Sequence, residues 1–191
     1  MSRQLIDRHL QQAQRLLHSL PIEGLDRRSL VVKAALEDER LWYVFKDQRE
    51  HMKHAALLEA GWNFAWGTTG ECGAYAAKWL RQGLVCVPSP AHATSYEFGV
   101  YCPVKDRTAT PISLLETFKL WERFIPGTQA ALKDVGPGDL VVFNEGKYGH
   151  AAIVEKVEGA TVHTIEANYS GTVKRVHRKD MSAVLGFGSI G

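Results

Sequence analysis

The chain reads as one α+β domain, helices first and an antiparallel sheet second, and three observations carry that reading. Apolar residues recur at spacings of three and four through the first third; after Val135 they give way to short apolar runs cut by glycine-containing turns. No repeat on the scale of ~20–50 residues and no low-complexity linker separates the two regimes. With 191 residues, 45% of them hydrophobic, the chain is long enough to bury a core without a disulfide scaffold.

From about Arg3 to Leu20, the residues Leu5, Ile6, Leu10, Ala13, Leu16, Leu17 and Leu20 share one helical face, and Pro21 ends the run. A second helix is expected from near Ser29, carrying Leu30, Val31, Ala34, Leu41, Val44 and Phe45, and resuming through Met52, Ala55, Leu57 and Leu58 to Gly61. Such faces ordinarily pack on a core; docking or delivery is the functional alternative. The aromatic stretch Trp62-Asn63-Phe64-Ala65-Trp66-Gly67 follows, suited to a groove wall or to core packing.

Thr68-Thr69-Gly70-Glu71-Cys72-Gly73-Ala74-Tyr75 then runs from a polar loop into a helix, with Thr68 or Thr69 as the cap. A cysteine in the first turn sits where free backbone N–H groups and the helix dipole favour a thiolate. Ala74, Ala76, Ala77 and Leu80 keep that helix small and apolar enough for a central position. Beyond it, Pro88-Ser89-Pro90 reads as a turn, and His92, Tyr96, Tyr101 and Asp106 as residues of a solvated loop. Ile112 to Phe124 is expected to be a helix with Leu114, Leu115, Phe118 and Trp121 on one side.

The sheet follows. Gly136 to Asp139 is a turn, Leu140 to Phe143 a strand, Asn144 to Lys147 a hairpin turn and Ala151 to Val157 a second strand. Thr161 to Ile165 is a third, Thr172 to Arg178 a fourth and Val184 to Ile190 a fifth, in an antiparallel meander. If the second and third are hairpin neighbours, His150 at the start of one and Glu166 at the end of the other meet at the same end of the sheet. An imidazole serving as general base needs a carboxylate or carboxamide on its far nitrogen, and either Glu166 or Asn168, two residues apart, can supply it. With Cys72 facing His150, the pair would titrate as thiolate and imidazolium, the arrangement of a cysteine hydrolase.

Composition narrows the partners. Lys+Arg 23 against Asp+Glu 21 leaves no strong field for nucleic acid or an anionic membrane. No apolar run approaches the ~20 residues of a membrane span, and the first residues lack the apolar segment of a secretory signal, so a chain made as a soluble cytoplasmic protein is expected. Of three cysteines, a Cys86–Cys102 bridge would leave Cys72 over; nothing else marks an oxidising compartment, so free buried thiols are expected. His163 and His177 lack zinc-ligand spacing and read as strand-face residues. The run Lys174-Arg175-Val176-His177-Arg178-Lys179 reads as an exposed strand face, or as an attractor of peptide carboxylates.

Taken in order, Glu71-Cys72-Gly73-Ala74-Tyr75, Gly138-Asp139-Leu140-Val141-Val142-Phe143, Gly149-His150-Ala151-Ala152-Ile153-Val154, Ile165-Glu166-Ala167-Asn168-Tyr169 and Gly186-Phe187 resemble the CHAP family of cysteine- and histidine-dependent amidohydrolases and peptidases. The resemblance runs from about Trp62 to the C-terminus. It implies a papain-like fold related to the NlpC-like peptidases, with a CHAP-like catalytic domain over 61–191; the helical segment over residues 1–60, read from its apolar spacing, has no counterpart in that family. It implies Cys72 as nucleophile, His150 as general base and later acid, Glu166 as the orienting member and Asn168 as the assisting or alternative one, with no metal or organic cofactor. The implied substrate is peptidoglycan or its stem peptides, cut as an N-acetylmuramoyl-L-alanine amidase or an endopeptidase. A monomeric phage lysin or delivered antibacterial effector is then expected, acting in the cell wall or periplasm, with an immunity protein or a delivery or tail component as further partner. A hydrolase or transferase of the same fold acting on an intracellular amide is the alternative, and a non-enzymatic binding module a third. The long segment between cysteine and histidine departs from the family pattern and leaves specificity open.

Overall fold

The computed structural model describes residues 26–44, 71–83, 86–89, 92–98, 110–120 and 122–191. The expected helix over 3–20, the continuation over 45–61, the aromatic stretch 62–67, the capping threonines, Tyr101, Asp106, Trp121 and Cys102 lie outside these residues. The described elements are the helices α1 (Arg27–Val44), α2 (Glu71–Gln82) and α3 (Pro111–Leu120), a 3-10 turn (Gln129–Asp134) and eight strands. The strands are β1 (Cys86–Ser89), β2 (His92–Phe98), β3 (Phe124–Pro126), β4 (Leu140–Phe143), β5 (His150–Glu158), β6 (Thr161–Tyr169), β7 (Thr172–Arg178) and β8 (Val184–Gly188).

The strands β3 to β8 form one antiparallel sheet in the order β3-β8-β4-β5-β6-β7. It is more than the expected meander, because the last strand returns to lie between β3 and β4. Only residues 179–183 connect β7, at one edge, to β8, beyond β4. So short a link requires the sheet to curl on itself. The guanidinium of Arg178 at the end of β7 accordingly lies 4.3 Å from the Phe143 ring of β4, although β5 and β6 stand between their strands.

Curling gives the sheet two different faces, and strand alternation assigns residues to each. Leu140, Val142, Ala151, Ile153, Ile165 and Ala167 look outward and pack with the helices. Val141, Phe143, Ala152, Val154, Val162 and Phe187 form a separate inner cluster. His150, Thr164 and Glu166 share the parity of the inner set, so the polar side chains stand at the rim and wall of the curled sheet.

α2 lies against the outer face through Tyr75, Ala76, Trp79 and Leu80, with the small alanines letting it approach closely. α1 covers α2, but with a face rotated from the expected one: Val31, Ala35, Asp38 and Trp42 are buried, whereas Val44 is exposed. The reason is electrostatic. Asp38 accepts from Lys78 Nζ at 2.9 and 3.0 Å and from Trp79 Nε1 at 2.7 Å, so a carboxylate that apolar periodicity counts as outward is paired and buried. At its other end α1 is tied to the sheet by Arg28, which reaches the fully buried Asp139 at 2.8 Å. Asp139 also accepts from the N–H groups of Gly136 and Ile190 at 2.8 and 3.0 Å, yet burial still pushes its carboxyl above the ordinary range.

Two further expectations are corrected. The helix expected to reach Phe124 stops at Leu120; Glu122 takes a left-handed φ of 58°, the Arg123 N–H bonds back to the Phe118 carbonyl at 3.0 Å, and Phe124 enters β3. His92 and Tyr96 stand not in a loop but in β2, which pairs with β1 as a hairpin (Cys86↔Phe98, Pro88↔Tyr96). The prolines hid it: a two-stranded hairpin has only edge strands, where proline is tolerated.

Candidate active site

Cys72 is the second residue of α2, buried, and free. Its place in the first turn gives the sulfur the company of N–H groups that have no partner within the helix. α2 packs on the outer face of the sheet, so this first turn meets the sheet at the end of β5 where His150 stands.

His150 begins β5, opposite Phe143 of β4. Gly149 before it has φ +78°, and a β-carbon there would come within 3.1 Å of the Phe143 carbonyl oxygen, so the entry into β5 is built for glycine. The imidazole is flanked by the Phe143 ring at 6.1 Å and, edge-on, by the Tyr169 ring at 6.2 Å. Its Nε2 lies 2.8 Å from Oε2 of Glu166, and Cys72 is close enough to help raise the pKa of the ring. With Nε2 given to the carboxylate, Nδ1 is the nitrogen left for the sulfur.

Glu166 is fully buried on β6, opposite Ala152, one diagonal step from His150. Both its oxygens are occupied. Oε1 accepts from Thr164 Oγ1 at 2.6 Å and Arg178 Nε at 2.8 Å, while Oε2 accepts from Arg178 Nη2 at 2.7 Å besides His150. Burial would raise its pKa, but the hydrogen bonds from His150, Arg178 and Thr164 prevail and hold it at about 2. The carboxylate is therefore a pure acceptor at neutral pH, which places the proton of the neutral imidazole on Nε2 and leaves Nδ1 as the base. Burial pulls the His150 pKa down; hydrogen bonding and attraction to Cys72 and Glu166 outweigh it and raise it to about 9.

Asn168 stands elsewhere. The pairing of β6 with β7 shifts between Glu166 and Tyr169, and Asn168 occupies that irregularity with φ 57° and an exposed side chain. The structure thus brings Cys72, His150 and Glu166 together and sets Asn168 outside the cluster.

Three residues of the cluster were not singled out from the sequence. Arg178 was read with an exposed strand face; it is instead 16% exposed, holds Glu166 through two nitrogens, reaches Glu145 Oε1 through Nη1 at 2.8 Å, and lies between the Phe143 and Tyr169 rings at 4.3 and 5.0 Å. Burial works against its charge, but the two carboxylates raise its pKa further above the ordinary value. Thr164 had a readable signal, since it shares a strand face with Glu166, and Arg178 stands on that face across the β6–β7 hairpin, opposite Val162; Glu145 had none, because only the curl of the sheet brings it there. His177 of the same run meets His163 with tilted rings at 4.4 Å, and His163 pairs with Glu158 at 3.0 Å.

No curated protein and no solved structure matches the chain. A sequence model of the CHAP domain matches residues 42–168, more than half of the 191 residues, a span that includes Cys72, His150, Glu166 and Asn168 and ends before Lys174 and Arg178. On that match the chain belongs to the CHAP domain family, whose general activity is that of peptidoglycan-hydrolysing amidases and endopeptidases.

Proposed function

We propose that the protein is a cysteine-dependent hydrolase of an amide bond in bacterial peptidoglycan, with Cys72 as nucleophile, His150 as proton carrier and Glu166 as the group that orients the ring. The observation that carries this reading is an imidazole bonded through Nε2 to the buried Glu166 carboxylate and close enough to the buried Cys72 for that residue to help raise its pKa.

In the reaction the Cys72 sulfur, with the shared proton resting on Nδ1 of the His150 imidazolium, attacks the amide carbonyl carbon. The backbone N–H of Cys72, at the start of α2, supports the resulting oxyanion. Collapse expels the amine, which takes the proton from His150, and leaves a thioester on Cys72. A water then gives its proton to His150 and attacks the thioester, releasing the carboxylic acid and leaving the free sulfur beside the protonated ring. Glu166 stays ionised throughout and compensates the imidazolium in each half. Asn168, exposed beside the site, has no part in orienting the ring in this scheme.

The test is turnover of purified peptidoglycan with mass spectrometry of the released fragments, which separates amidase from endopeptidase. Cys72→Ala and His150→Ala are expected to abolish cleavage; activity in either sinks the assignment. The setting proposed for this activity is that of a phage lysin or a delivered effector. Directing the chain to the periplasm of a bacterial host is then expected to lyse the cells, and retaining it in the cytoplasm to leave them intact.

A further inference from the structure

We propose that Lys174 is a specificity-determining residue that binds a carboxylate of the stem peptide next to the scissile amide; this rests on the peptidoglycan reading above. The register of β6 and β7 sets Lys174 directly opposite Glu166, and paired residues of an antiparallel ladder share a face. A lysine so placed would ordinarily pair with that carboxylate. Here it does not, because the oxygens of Glu166 are filled by Thr164, His150 and Arg178.

The ammonium is seated instead over the ring of Tyr169, 4.3 Å from its centroid, and the same ring lies 6.2 Å from the imidazole of His150. Tyr169 thus holds a cation within one ring's breadth of the reaction centre. Among the described residues no carboxylate stands within ion-pair distance of Lys174, whereas the other cation on this ring, Arg178 at 5.0 Å, is taken up by Glu166 and Glu145. Lys174 is half-buried and keeps its ammonium over an aromatic ring instead of on a carboxylate. An anion delivered by the substrate can take the place of that carboxylate. Stem peptides carry such groups as free carboxylates or as their neutral amides, which differ in charge and hardly in shape, and a lone ammonium separates them through a charge-assisted hydrogen bond.

The experiment uses paired muropeptides that differ only in a free carboxylate or its carboxamide at the stem residue flanking the cut bond. The full chain is expected to cleave the carboxylate form with kcat/KM about tenfold above the amide. Lys174→Gln is expected to equalise the two by losing the carboxylate form, and Lys174→Arg to keep the preference. Calorimetric binding to Cys72→Ala, with and without Lys174→Gln, reads the same discrimination without turnover. Equal cleavage of both forms by the unaltered chain, or a preference that survives Lys174→Gln, overturns the proposal and leaves the hydrolase reading standing. Absence of both cleavage and binding for either form overturns the two together.

Discussion

Nε2 of His150 and Oε2 of Glu166 are 2.8 Å apart, diagonal neighbours across β5 and β6 in a place where both are buried. The contact reaches into the pH dependence of the protein in two directions. Glu166 is held at about 2, below its ordinary 4.5, so its contribution to stability is complete above about pH 4.5 and is lost as pH falls toward 2. His150 is raised to about 9 from 6.5, so its contribution is complete below about pH 6.5 and is lost as pH rises through about 9.

The activity profile is expected to carry the same signature, with an alkaline limb near pH 9 set by loss of the imidazolium. Glu166→Gln removes the compensating charge and is expected to move that limb down by about one pH unit or more, with a fall in kcat. The measurement is kcat/KM against pH on a soluble muropeptide. A limb unmoved in the variant would separate Glu166 from the chemistry.

Arg178→Gln leaves Glu166 buried with two of its four hydrogen bonds gone. Breaking one side of a buried pair costs about 3–5 kcal/mol, and the freed carboxylate takes up a proton at higher pH than before. Urea unfolding at pH 7 is expected to show the loss, and acid unfolding to begin at higher pH than in the unaltered protein. Arg178→Lys keeps the charge but not the planar fork, and is expected to recover only part of the stability.

Asn168 is distinguished from Glu166 by its backbone. At φ 57° an asparagine is tolerated, alanine costs about 1 kcal/mol and glycine is at ease. Asn168→Gly is therefore expected to be at least as stable as Asn168→Ala by thermal unfolding, and neither is expected to displace the alkaline limb. Displacement as large as that of Glu166→Gln would mean that the carboxamide orients the ring after all.

The buried pair of Asp38 and Lys78 joins α1 to the helix that carries Cys72. Asp38→Ala removes the carboxylate that Lys78 and the indole N–H of Trp79 share, at a cost of about 3 kcal/mol. The double replacement Asp38→Leu with Lys78→Met is expected to be less destabilised than the sum of its single changes. Denaturant unfolding of all four proteins closes the cycle; additive losses would mean that the pair is not coupled.

How legible the site was depended on how local its contacts are. His150 and Glu166 sit at the two ends of one hairpin, 16 residues apart, and strand alternation with a short turn is enough to bring them to one end of the sheet. Asn168 is turned outward because a register shift after Glu166 ends the alternation that would have set it beside His150. The β1–β2 hairpin was hidden by its prolines, and the buried face of α1 by a carboxylate whose partner lies 40 residues away on another helix.

Hydrophobic period, turn chemistry and the order of short motifs, all properties of neighbouring residues, were enough to define the α+β class, the main strands and the approach of His150 to Glu166. The tertiary structure alone decided which charges surround that meeting. Arg178 meets Glu145 and the Phe143 ring beside it because the sheet curls until its edge strand faces its centre, and a closure of that kind arises from packing between distant strands, which leaves no periodic trace along the chain.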